Sequence, residues 1–85
     1  MSITLLTRDG CSACEAARAD LSRICGDLSV EFDVVDVDVA ANSGETELRA
    51  EYGDRLPVVL LDDEEHSYWE VDEPRLRADL AARNS

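Results

Sequence analysis

Cys11-Ser12-Ala13-Cys14 is the segment whose residue types and spacing carry chemistry. Two cysteines separated by two residues are close enough to form a disulfide or to share a metal. After a short apolar run and a turn, and before a helical pattern, they read as a redox dithiol. That use requires an attacking thiolate, a second thiol that resolves the mixed disulfide, and room for a substrate sulfur. A helix start serves the first requirement, because unpaired backbone N–H groups and the macrodipole favour a thiolate over a thiol. Cys11 is therefore the expected nucleophile and Cys14 the expected resolving residue. Arg8 lies three residues upstream, where its cation could support the thiolate or a substrate carboxylate; Asp9 beside it works in the opposite direction.

The rival use is half of a zinc site completed by Cys25 and His66. Cys25 follows Cys14 by eleven residues of unbroken helical pattern. That is a rise of about 16 Å, too far to share one ion. No metal site is expected, and Cys25 reads as a core residue. His66, alone in a predicted hairpin strand, reads as a surface residue, and Trp69 as a ring that packs on the last helix.

Several elements must position the dithiol. Ile3 to Thr7 is a short strand apolar enough to be buried on both faces. From Ser12 to about Leu28 the apolar positions Cys14, Ala17, Leu21, Ile24 and Leu28 recur every three or four residues, the stripe of an amphipathic helix. This phase turns Cys14 inward and leaves Cys11 free to face solvent, and Gly26 marks the helix end. Val30 to Val34 alternates apolar and acidic residues as a second strand. The alternation slips at Val34-Val35: either the strand bulges there, or it ends near Val37 and Val39 packs from a loop. Asn42-Ser43-Gly44 is a turn, and Glu45 to Tyr52 a short helix stopped by Gly53. Leu56-Pro57-Val58-Val59-Leu60-Leu61 is a third strand opened by proline. Asp62 to Glu65 is a solvated acidic turn, and His66 to Val71 a returning strand. A last helix begins at Glu73-Pro74. The order is βαβαββα, with the first two strands parallel.

The 85 residues predict one domain spanning 1–85. A chain of this size buries roughly 60–65% of its unfolded surface and folds with little stability to spare. Eight arginines, no lysine and 20 acidic residues give a net charge of −12. That balance argues against nucleic acid and anionic membranes as partners. The longest strictly apolar run, Val58 to Leu61, is far below a membrane span. The first residues lack a basic region and a long apolar stretch, so the expected compartment is cytoplasmic. Thiols are kept reduced there, and an odd cysteine count fits a single reactive pair plus one core thiol.

The dithiol after the first strand, the Leu56-Pro57 dipeptide opening the third, and the element order together resemble the thioredoxin-like fold. Thr7-Arg8-Asp9-Gly10-Cys11 and Leu56-Pro57-Val58-Val59 look most like a small bacterial glutaredoxin-like protein, over roughly residues 3 to 82. The resemblance implies a four-stranded mixed sheet flanked by helices. It also implies a cis peptide bond before Pro57 beside the cysteines, with the Leu56 backbone pairing with substrate. The implied activity is thiol–disulfide exchange in electron transport, on a protein or small-molecule disulfide. The protein would act as a monomer with no bound cofactor, reduced by glutathione or by a thioredoxin-reductase-type donor. The chain departs from the family in two places. Ser12-Ala13 replaces the usual proline and aromatic residue, and Tyr68-Trp69-Glu70-Val71-Asp72 replaces the glycine pair that holds glutathione. The second departure favours a reductase as donor. The rival from another class is a binding or carrier module of the same fold whose cysteines hold a metal or are not catalytic.

Overall fold

The computed structural model describes residues 2–84. β1 (Ile3–Thr7), β2 (Asp33–Asp36), β3 (Val58–Leu61) and β4 (Glu64–Tyr68) form one sheet in the order β2-β1-β3-β4. β1 and β2 are parallel and the other two pairs antiparallel, so the sheet is mixed. The helices are α1 (Ser12–Leu28), α2 (Val37–Asn42), α3 (Glu47–Tyr52) and α4 (Glu73–Asn84). None is long and apolar enough to cross a membrane.

The central strands are buried on both faces, and their side chains alternate between two cores. Ile3 and Leu5 of β1 join Val59 and Leu61 of β3 against Ala17, Leu21, Ile24, Leu76 and Leu80 from α1 and α4. Leu6, Val58 and Leu60 point the other way, onto Val37 and Tyr52 from α2 and α3. Cys25 sits in the first core, 2% exposed, and burial pushes its thiol pKa up.

Local expectations are refined at several points. Of the two alternatives beyond Val34, the strand ends near Val37 rather than bulging, but Val39 lies in a helix and not in a loop. Asp36 ends β2, and its Oδ1 accepts the N–H groups of Asp38 (2.8 Å) and Val39 (3.1 Å). This N-cap starts α2, which buries Val37 and Ala40 and leaves Val39 outside. The link between β2 and β3 thus holds two short helices rather than one. α1 spans Ser12–Leu28, as its stripe predicts; it runs through Gly26 and is capped by Ser29, which takes the left-handed conformation with φ 57°.

The hairpin is tighter than its acidic run suggests. Asp62 and Asp63 alone form the turn, both at positive φ, and Glu64 and Glu65 already belong to β4. Positive φ at both central residues fits the twist of a two-residue hairpin. Asp62 is not merely solvated: it accepts the Ser2 N–H and an Arg83 N–H, which hold its carboxyl below the usual range. The register steps from Val59↔Ser67 to Leu60↔Glu65, so His66 is the extra residue of a bulge. Its ring turns under α4 to meet Asp79 at 2.7 Å, so the residue is half-buried with its side chain only 5% exposed, rather than a surface histidine.

Candidate functional site

The dithiol stands where β1 hands over to α1. The Asp9-Gly10 turn separates them, with Gly10 at φ 76°, a backbone state that glycine adopts without cost. Cys11 is the N-cap of α1, and its Sγ accepts the Cys14 N–H at 3.1 Å. The sulfur therefore occupies the place of a capping oxygen, aimed at the unpaired amides of the first turn. Cys11 and Cys14 are joined as a disulfide, with Cα atoms 5.2 Å apart. Their surroundings differ as the helix phase predicts: Cys14 is 2% exposed, whereas Cys11 is half-buried.

A groove of about 420 Å³ opens beside the pair on the β2 side. Arg8, Arg18 and Val34 contribute to its walls together with both cysteines. Arg8 is turned toward α2, where its Nε and Nη2 donate to Asp38 at 2.8 and 3.3 Å. Asp38 also faces Arg49 at 3.7 Å. The hydrogen bond and charge of Arg8 hold the Asp38 carboxyl below its ordinary range, with Arg49 adding to the effect. Arg8 thus reaches the groove as an already paired cation. Asp38 escaped sequence reasoning because it lies thirty residues away from Arg8; its proximity depends on β2 running beside β1. The usable signal was the Asp36 cap that ends the strand.

Leu56 and Pro57 lie at the same end of the sheet. Leu6 of β1 faces Val58 of β3, and Val58 faces Tyr68 of β4. The three strand ends carrying the dithiol, Pro57 and Trp69 are therefore side by side. The Leu56–Pro57 peptide is cis. The Trp69 N–H donates to the Pro57 carbonyl (2.8 Å) and to the Arg55 carbonyl (3.3 Å). Among the described residues, the Leu56 backbone between those carbonyls forms no backbone hydrogen bond. Arg55 is a latch: it holds Glu65 at 3.0 Å and its guanidinium lies over the Tyr52 ring at 5.3 Å. Trp69 does not pack on α4. It is 63% exposed, with φ 68°.

No group of three His, Cys, Asp or Glu side chains among the described residues is arranged to hold a metal. His66 is held by α4, so it is not drawn toward the dithiol, and Cys25 lies in the core.

Comparison with known proteins agrees with this arrangement. Residues 2–81 match the model of the Glutaredoxin-like domain (DUF836). An uncharacterised protein of Mycobacterium tuberculosis is 57% identical over 79 residues, covering 93% of this chain and 81% of its own length. The glutaredoxin-like protein NrdH of Salmonella typhimurium is 38% identical over 63 residues, covering 74% of this chain and 72% of that protein. Among solved structures, a structural-genomics target protein from X. campestris superimposes with a TM-score of 0.68 at 33% identity, covering 95% of this chain and 97% of that one. Thioredoxin 1 of Thermosipho africanus shares the fold over the whole of both chains, with a TM-score of 0.60 at 18% identity.

Proposed function

The chain belongs to the glutaredoxin-like domain family, and from that membership we propose that it is a thiol–disulfide oxidoreductase with Cys11 as nucleophile and Cys14 as resolving thiol. The observation that carries this reading is the pair at the start of α1, with the more exposed sulfur as N-cap and its partner buried.

In the reduced protein the first-turn amides favour a thiolate at Cys11. That thiolate attacks one sulfur of a substrate disulfide. The bond between the substrate sulfurs breaks, the distal sulfur leaves as a thiolate, and a mixed disulfide with Cys11 remains. Cys14 then loses its proton and attacks Cys11 Sγ, releasing the second substrate thiolate. The substrate gains two electrons, and the protein ends in the Cys11–Cys14 disulfide state seen in the structure. A thiol donor restores the dithiol.

The substrate, a protein or small-molecule disulfide, lies along the Leu56-Pro57 segment, where the Leu56 N–H and carbonyl can accept an extended chain as a short bridge. Arg8 contributes groove wall and its remaining N–H donors. The donor is a reductase of the thioredoxin-reductase type rather than glutathione, because Trp69 and Glu70 stand at the end of β4 without a glycine that would admit a tripeptide. The protein acts in the cytoplasm as a monomer. A coupled disulfide-reduction assay tests this, run once with glutathione, glutathione reductase and NADPH and once with thioredoxin reductase and NADPH. Turnover with the second system is expected. Absence of turnover with either, together with no two-electron couple between roughly −270 and −200 mV, would overturn the assignment.

A further inference from the structure

The end of β4 carries two aromatic rings that the fold leaves unused. Tyr68 and Trp69 are 48% and 63% exposed. Their rings meet edge to face, 5.0 Å between centroids and 81° between planes. Trp69 is also held in a backbone state uncommon for a bulky side chain, at φ 68°. Its N–H is bonded to the carbonyls of Pro57 and Arg55, so the loop that flanks the dithiol fixes the direction in which the indole projects. An indole presented on a fixed backbone at the active end of the sheet is a preorganised contact.

The charge beside these rings is net negative. Glu65, Glu70, Asp72 and one cation, Arg75, line the groove next to Tyr68. The nearby guanidinium groups are already engaged, Arg55 with Glu65 and Asp54 and Arg75 with Asp72. Among the described residues Glu70 forms no ion pair. The whole chain carries −12. A phosphate-bearing or acidic partner would be repelled here, and a purely apolar one would cover Glu70 without a counter-charge. A cation satisfies both features. It can lie over the indole face, and the acidic field accelerates its approach.

We infer that Tyr68, Trp69 and Glu70 form the docking surface for a polypeptide disulfide flanked by arginine or lysine, with the cationic side chain over the Trp69 indole. This rests on the exchange reading above and names its substrate class. Two exposed rings make a small contact, which suits a substrate that must leave after each turnover.

The test uses the full chain, reduced beforehand with dithiothreitol, and three oxidants. Two are disulfide-cyclised peptides of equal length, one with Arg and Lys flanking its cysteines and one with Glu and Asp. The third is neutral 4,4′-dithiodipyridine. The basic peptide is expected to be reduced about tenfold faster than the acidic one at low salt. Trp69→Asn keeps a residue that tolerates the left-handed backbone. It is expected to lower the rate ratio of basic peptide to dithiodipyridine about fivefold, with Trp69→Phe in between. Glu70→Arg, which leaves the Trp69 backbone alone, lowers the same ratio and serves should Trp69→Asn not fold. Equal rates on both peptides, or an unchanged ratio in both variants, would overturn the inference alone. No reaction with any oxidant would overturn the exchange reading and the inference with it.

Discussion

On the β2 side of the dithiol, Arg8, Asp36 and Asp38 are committed to contacts within the chain: one caps α2, and the other two form a bidentate pair. On the β4 side, Tyr68 and Trp69 are exposed and Glu70 is unpaired among the described residues, while the backbone beneath them is tied to the Pro57 loop. The first flank uses its side chains to start α2 and to tie Arg8, before the dithiol, to that helix. The second fixes its main chain and leaves its side chains outward. The lesson is that rigidity and availability are divided between the two sides of one reactive pair.

The largest effect tests the centre that both flanks serve. Cys11→Ser is expected to lower disulfide-reduction activity by about a thousandfold or more, measured as kcat/KM with a neutral disulfide. Retained activity would mean that neither flank borders the reactive sulfur.

Next is the core beneath the β4 flank. Leu80 is fully buried on α4 against α1 and the sheet. Leu80→Ala is expected to cost about 3 kcal/mol in denaturant unfolding. That is a large share of the stability available to a small domain. A cost below about 1 kcal/mol would show that the main chain behind Trp69 does not depend on the α4 core.

Asp36→Ala addresses the opposite flank. It removes the acceptor for two amide groups at the start of α2, with an expected cost of about 1 kcal/mol. Hydrogen exchange should quicken at Asp38 and Val39 and not at Trp69. Equal quickening on both sides would erase the distinction between the flanks.

The smallest expected effect is electrostatic. Glu73, at the start of α4, is held down to about 2 by the guanidinium of Arg23 and then that of Arg77. A carboxyl depressed in the folded state contributes stability above its ordinary value of 4.5 and loses it as the pH falls toward about 2. The stability gap between the wild type and Glu73→Gln should therefore close across that interval. It should also shrink in salt, because the pair is exposed. A gap that widens on acidification would contradict this linkage.

The same two flanks separate what could be read from the amino-acid order from what could not. The β1–α1 junction was legible because all its signals are local. A seventeen-residue helix repeats its stripe often enough to set the phase of Cys14, and the dithiol spacing is self-contained. The end of β2 near Val37 is legible as one of two alternatives, but α2 is not, because its six residues are too few for a helical period to outweigh apparent alternation. β4 misled because a bulge at His66 shifts the pattern by one residue, and alternation alone cannot reveal an inserted residue. The Arg8–Asp38 pair and the Trp69–Pro57 bond join residues distant in the chain, so they emerge only once the strand order is known.

The central claim is that Cys11 attacks and Cys14 resolves. Cys14→Ser, reduced and then mixed with excess 4,4′-dithiodipyridine, should stop at a mixed disulfide, because the resolving thiol is gone and Cys25 is buried. Mass spectrometry of a digest should place a single thiopyridine adduct on Cys11. No adduct on Cys11, or one formed first on Cys25, would contradict the account.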